Sequence, residues 1–289
     1  MTNNRRDFLL QLGSLAIPMG VLAKKKETMT VRQIIELILK SVPGAPFPST
    51  VDTIKAGNID QRVTGIVTTM FATVEVIQQA AALGANFIIA HEPTFYNHLD
   101  ESKGLEQDKV YQQKMKLLNK HQMVVWRFHD YLHSLEPDGV FMGVLEALGW
   151  EKYYDKSNRG LLTIEPTTLA SIIQLTQTRL NIDHVRFIGD EQQVCKRVVL
   201  IPGAAGGEMQ IHLLQVYKPD LLIVGELDEW ETSEYIRDMR SLGINTSLIV
   251  LGHIQSEEPG MKWLVNWLQP QLKGIKITHL PSKDAFRWK

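Results

Sequence analysis

Imidazole and carboxylate groups stand together at three distant places in this chain, each time where an aliphatic run ends. The first is Ile88-Ile89-Ala90-His91-Glu92-Pro93. The second is Val124-Val125-Trp126-Arg127-Phe128-His129-Asp130-Tyr131-Leu132-His133. The third is Leu248-Ile249-Val250-Leu251-Gly252-His253, with Glu257 four residues on. Ring nitrogens and carboxylate oxygens are ligands for divalent metal ions. In open α/β sheets, sites form at the carboxyl ends of strands. Three strand ends that carry such groups point to one shared metal site assembled from distant segments.

Each stretch has its own local logic. Pro93 forces Glu92 toward extended backbone, so His91 and Glu92 can face different sides of a cleft. His129 and His133 share a face whether the segment is helical or extended, and Asp130 is expected to point elsewhere. Gly252 lets the chain leave its strand tightly. His253 then falls at the strand end, and Glu257 falls in the turn opening the next helix. Ser256 is a candidate N-cap or hydrogen-bond donor behind the ligands. A glutamate can bridge two ions with its two oxygens. Each stretch also admits an ordinary reading: a turn with solvated His and Glu, histidines satisfied by local hydrogen bonds, or a capping carboxylate.

The elements that must hold these residues alternate between helix and strand. Helical apolar spacing covers 28–41, and Pro43, Pro46 and Pro48 break the chain after it. A strand is expected at 62–68, then a helix over 74–83 capped by Thr73 and stopped by Gly84. Strands at 86–90 and 123–128 flank a polar helix at 107–121. Gly149 ends a helix over 139–148. The second half reads as a helix at 167–180 and strands at 185–189, 197–201 and 221–224. A helix at 232–242, a strand at 247–251, a helix at 260–268 and a last strand at 276–280 follow. This alternation predicts an α/β protein. Two α/β lobes with mixed sheets are expected, with the metal site in the cleft between them. Residues 28–135 plus 248–289 would form the first lobe, and 136–247 the second. The halves share a rhythm that suggests a degenerate duplication.

The 289 residues suffice for two modest lobes. Hydrophobic residues make up 44% and charged residues 22%, as in soluble globular proteins. The formal net charge of -1 gives no broad pull toward nucleic acid. Lysines 24–26 are the only basic run, and they fall in a segment set apart from the fold. That segment, 1–27, holds Arg5-Arg6, Phe8, a broken apolar stretch from Leu9 to Ala23, and a small residue at its end. It resembles a twin-arginine export signal, which implies a periplasmic protein. An ordinary amphipathic helix is the alternative. No later segment approaches the ~20 apolar residues of a membrane span, so no stable span is expected in the mature protein. The single Cys195 excludes an internal disulfide framework and reads as a packed strand residue.

Taken together, the three stretches resemble the Nif-three-like dinuclear metal-centre family, some of whose members are labelled GTP cyclohydrolase 1 type 2. That pattern has a strand ending in His-His-Pro, a His-Thr-Asn-Leu-Asp segment, and Gly-His-x-x-Ser/Thr-Glu near the C-terminus. Here these become His91-Glu92-Pro93, His129-Asp130-Tyr131-Leu132-His133 and Gly252-His253-Ile254-Gln255-Ser256-Glu257. The family's central glycine turn is matched by Gly203-Ala204-Ala205-Gly206-Gly207, and its later Gly-Glu by Gly225-Glu226. The resemblance covers about residues 30 to 285. Two positions depart from it. Glu92 stands where the pattern has its second His, and His133 stands where it has Asp.

The resemblance implies two divalent metal ions, with one as the alternative. His91, His133 and Glu257 would serve one ion, and Glu92, His253 and the shared Glu257 the other. His129 would lie behind the ligands or against substrate. Such a mixed set suits Zn, Fe, Mn, Co or Ni. The activity expected is metal-dependent hydrolysis of a small molecule, with Glu257 bridging the ions and His129 moving the proton. An exported protein meets little GTP, so another substrate is expected. The alternative is a metal-binding or metal-delivery protein without turnover. The family also implies a ring-shaped homohexamer, to which Trp263 and Trp267 could contribute, although their i, i+4 spacing equally suits a core. The glycine turn matches neither a dinucleotide fingerprint nor a P-loop and reads as a tight strand-to-helix connection. Glu226, Asp228 and Glu229 read as a solvated run.

Overall fold

Short apolar strands organise the chain into two sheets. A computed structural model describes residues 29–158 and 160–287; the expected export signal lies outside the described residues. The first sheet contains β1 (Ile54–Ala56), β2 (Ile66–Thr69), β3 (Phe87–Ala90), β4 (Val124–Arg127) and β10 (Ile277–His279). Its order is β1-β4-β3-β2-β10. The last four run parallel, and β1 is an antiparallel edge. The second sheet contains β5 (Leu161–Thr168), β6 (Arg186–Ile188), β7 (Val194–Ile201), β8 (Leu221–Val224) and β9 (Ser247–Val250), in the order β5-β7-β8-β9-β6. Here β7, β8 and β9 are parallel, with antiparallel strands at both edges. Every residue of β2, β3, β4, β8 and β9 is buried, as expected of parallel strands covered on both faces. The protein is thus a mixed α/β fold with two sheets.

The helices are α1 (Val31–Leu39), α2 (Val74–Ala82), α3 (Lys109–Lys120), α4 (Asp130–His133), α5 (Gly139–Leu148), α6 (Leu169–Leu180), α7 (Gly207–Tyr217), α8 (Glu234–Ser241) and α9 (His253–Leu268). Thr73 caps α2 by accepting the Val76 amide, and Gly149, at φ 71°, closes α5 in the left-handed conformation. One face of the first sheet packs on α1 and α9, and the other on α2 and α3. The second sheet is covered by α5 and α6 on one face and by α7 and α8 on the other. Helix α5 joins the two cores: Val140 packs with the first, and Phe141, Val144 and Leu145 with the second. Where α5 crosses α9, a Cβ on Gly143 would come within 2.5 Å of the Gly260 backbone. Two glycines therefore permit a backbone contact that side chains would block.

The structure corrects several expectations. A lobe boundary at 248 would place β9 in the first lobe. Instead β9 pairs with β8 and β6 in the second sheet, and the chain returns to the first core only through α9. Strand β5 adds to the expected elements, and Pro166 falls within it. It lies at a sheet edge, and its ladder is interrupted between Thr163 and Thr167, where a proline does no harm. The last helix begins at His253 rather than at Gly260 and carries Pro259 inside it. Among the described residues, no helix is long and apolar enough to cross a membrane.

Candidate metal centre

The carboxyl ends of the parallel strands in both sheets meet at the start of α9. Strand β3 continues its ladder one step past its end, with the His91 and Glu92 amides donating to the carbonyls of Thr69 and Met70. Strand β4 leads into α4, whose first amides are gathered by Asp52. That carboxylate accepts the N–H groups of His129, Asp130 and Tyr131 at 2.8, 3.1 and 2.8 Å. This fixes the direction in which His129 and His133 leave the backbone. On α9, His253 and Glu257 share a face at i, i+4, with both side chains on the helix itself.

Their ring nitrogens and carboxylate oxygens converge. One nitrogen from each of His91, His129 and His133 lies within 4.8 Å of the others. The same holds for His91 with one oxygen each of Glu92 and Glu257. The Glu257 carboxylate sits centrally. Its Oε2 is 3.5 Å from His91 Nε2 and 3.0 Å from His253 Nε2, and its Oε1 is 3.9 Å from His133 Nε2. Glu92 Oε1 is 3.3 Å from His253 Nε2 and 3.8 Å from His129 Nε2. The structure therefore brings together all five sequence-predicted metal residues, and His129 with them.

The opposite edge of each ring is anchored. His91 Nδ1 lies 3.1 Å from the Phe128 carbonyl oxygen. His129 Nδ1 lies 2.9 Å from Asp130 Oδ1, and His133 Nδ1 lies 3.0 Å from Asp138 Oδ2. His253 Nδ1 is 3.5 Å from Glu226 Oε2. An acceptor at Nδ1 fixes a ring with its Nε2 edge toward the cluster, which is how metal-binding histidines are oriented, and His253 Nε2 donates to Glu257 Oε2 at 3.0 Å. His91 supplies the clearest sign. Its Nε2 is buried and makes no hydrogen bond. A buried, unpartnered ring nitrogen costs free energy unless something else fills its lone pair, so the donor set fits a divalent ion.

The charges respond to one another. Burial alone would raise the Glu257 carboxyl, but His91 and His253 outweigh it and hold the group well below the usual carboxylate range. Burial works the same way on Glu92, and His253, His91 and His129 bring it below normal. Burial would lower His253, yet its hydrogen bonds to Glu257 and Glu92 push it up to about 10. His133 is raised despite burial, by Asp138 and the nearby glutamates. His129 goes the other way. Burial, helped by His91 and His133, pushes it down to about 4 despite Asp130. Two carboxylates in this pocket thus attract cationic charge strongly, and one imidazole stays neutral.

Several supporting residues lay outside the sequence-based reading. Asp138 directly precedes the expected helix at 139–148; one of its oxygens caps α5 while the other meets His133. Nothing in the sequence marks Asp52, which comes from a loop 77 residues before His129. Gly203, expected in a tight strand-to-helix turn, also approaches the cluster. It has φ +71°, and a Cβ there would fall 2.2 Å from Glu257 Oε1. Its amide donates to Ser256 Oγ, which in turn donates to the His253 carbonyl, so Ser256 braces the first turn of α9 without capping it. Asp130 does not point away, as expected, but folds back on the His129 ring. Glu226 is exposed, as expected, and comes 3.5 Å from His253 Nδ1, whereas Glu229 pairs with Arg186 outside the cluster. Trp263 and Trp267 stack at 6.2 Å and pack, partly buried, on the first core. Cys195 is buried, and burial pushes its thiol up to about 11.

A cleft of about 1480 Å³ opens beside the cluster. Glu92, Glu226 and His253 lie along it, with Phe71, Tyr96 and His98.

The profile of Duf34/NIF3 (NGG1p interacting factor 3) matches residues 29–285. The chain belongs to this family. Its relatives include a "GTP cyclohydrolase 1 type 2 homolog" of Clostridium perfringens, 24% identical over 239 residues, covering 79% of this chain and 86% of that one. A protein of the same description from Pyrococcus abyssi is 25% identical over 231 residues, covering 73% and 81%. The Staphylococcus aureus hypothetical protein SA1388 superposes with a TM-score of 0.72 at 20% identity, covering 91% of this chain and all of that one. That likeness establishes the fold.

Proposed function

We propose that this Duf34/NIF3 protein is a metal-dependent hydrolase of a small molecule, with two divalent ions held by His91, Glu92, His133, His253 and Glu257. The observation that carries the reading is the convergence of four Nε2 edges on two carboxylates, with three of the rings held by a hydrogen bond at Nδ1 and His91 Nε2 buried without one, 3.5 Å from Glu257 Oε2. When bound, such ions supply Lewis acidity and lower the pKa of water toward neutrality. Glu257 has three imidazoles within reach of its two oxygens, so it would be the ligand shared among them when metal is bound. His129, with its Nδ1 held 2.9 Å from Asp130 Oδ1, would accept a proton at Nε2 as a weaker base than a free imidazole, because burial lowers it. The cleft gives a small molecule access to Glu92 and His253, and its aromatic lining suits a planar or partly apolar substrate.

The names of the relatives make GTP the first compound to test. Arg5-Arg6 and the stretch after them support export to the periplasm, which favours other substrates; fractionation of cells expressing wild type and an R5K/R6K variant tests that placement. The hydrolase reading is tested by a panel of nucleotides, phosphoesters, amides and cyclic ureides with metal-loaded protein. Turnover that falls on His129→Ala with metal retained supports it. A fully loaded protein that turns over nothing in the panel overturns it.

A further inference from the structure

Arg127 is fully buried at the end of β4, directly behind the metal cluster. Burying a guanidinium is costly unless its donors are all engaged. Here they are engaged by the loop that carries Glu92. Nε donates to the His91 carbonyl at 3.2 Å, and one terminal nitrogen donates to the His98 carbonyl. The other terminal nitrogen lies 3.3 Å from Glu92 Oε2. Asp100 Oδ2, also fully buried, is 3.9 Å away.

The two oxygens of Glu92 therefore have separate partners. Oε2 faces Arg127, and Oε1 faces His253 and His129. A carboxylate free to turn could offer both oxygens to one ion, or swing out toward the cleft. The guanidinium prevents both. Glu92 is also a position where this chain departs from the family pattern it resembles, carrying a charged carboxylate in place of a neutral imidazole. A histidine there would need no cation behind it.

We propose that Arg127 is a positioning residue that holds Glu92 as a one-oxygen metal ligand, and that the Glu92–Arg127 pair acts as a unit in place of the family's second histidine. This rests on reading the cluster as a metal centre. Its distinctive consequence is coupling: Arg127 matters for metal binding only while residue 92 is a glutamate.

The test is a double-mutant cycle on the full chain, read as zinc affinity by competition with a chromogenic chelator and paired with thermal unfolding. Arg127→Met should weaken zinc binding by about 10- to 100-fold, the cost of losing a group that orients a ligand. Arg127→Lys, which keeps the charge but not the fork, should recover part of that loss. In a Glu92→His background, Arg127→Met should cause no loss, because the cation no longer has a carboxylate to hold. Equal losses in both backgrounds would mean that Arg127 acts only by tying the His91 and His98 carbonyls, and would overturn the proposal. Wild-type affinity in the Arg127→Met protein would overturn it too. If Arg127→Met does not fold, Arg127→Lys in the two backgrounds makes the same comparison. If the wild type binds no zinc at all, the metal-centre reading fails and this inference with it. Zinc bound normally but without coupling removes this inference alone.

Discussion

Asp138 joins a structural role to a ligand-orienting one, and a single atom separates them. Oδ1 accepts the Val140 and Phe141 amides at 2.8 and 3.0 Å and caps α5; Oδ2 lies 3.0 Å from His133 Nδ1. In Asp138→Asn the amide oxygen keeps the cap, since Asn and Asp are nearly equal N-caps. The amide nitrogen then faces His133 Nδ1, where only an acceptor is tolerated. The ring must either turn or carry its proton on Nε2, which removes the lone pair aimed at Glu257. Metal affinity should fall by about 10- to 100-fold, or about 1.4–2.8 kcal/mol, while the metal-free protein keeps its melting temperature within a degree or so. Asp138→Ala should add the lost cap, about 1 kcal/mol, and lower the metal-free Tm by roughly 2–4 °C. Calorimetric titration with zinc and thermal unfolding in chelator read the two effects separately. If Asp138→Asn binds zinc as the wild type does, His133 is not held as a ligand in the way argued.

Gly203→Ala places a methyl against Glu257 Oε1 in a backbone conformation that disfavours side chains. It should cost about 1–2 kcal/mol from the backbone alone, with metal affinity falling further; unchanged values in both melting and zinc titration would refute the close approach. Lys114, buried and donating to the Thr94 carbonyl, is pushed by burial down to about 8 from the usual 10.5. The unfolded chain then binds the extra proton between those values, so the folded state carries a penalty of about 3 kcal/mol below pH 8 that vanishes as pH rises to 10.5. The stability difference between wild type and Lys114→Met, measured by denaturant titration at pH 7 and pH 10, should shift toward wild type at the higher pH, and a constant difference would count against it.

Much of this was legible in the sequence because its signals are local. The apolar runs at 87–90, 221–224 and 248–250 suit parallel strands, and Thr73 and Gly149 mark helix ends by side-chain and backbone chemistry. The ligand types at strand ends were visible for the same reason. What was hidden depends on chain segments meeting in space. Asp52 reaches α4 from a distant loop, Gly203 matters only because Glu257 lies against it, and the second role of Asp138 needs His133 beside it. Helix α9 starts at His253, seven residues before its expected start, and runs through Pro259, although proline is more at home in a first turn than inside a helix. The later expected start left His253 and Glu257 off the helix face on which they are paired.

The measurement that bears most directly on the centre is elemental analysis of protein purified without added metal, on wild type and His253→Ala. The geometry predicts about two equivalents of a divalent transition metal in the wild type, with at least one lost in the variant, as a mixed imidazole–carboxylate set of this kind should hold. Wild-type protein that holds no metal, even after reconstitution with zinc, manganese or iron under anaerobic conditions, would contradict the account.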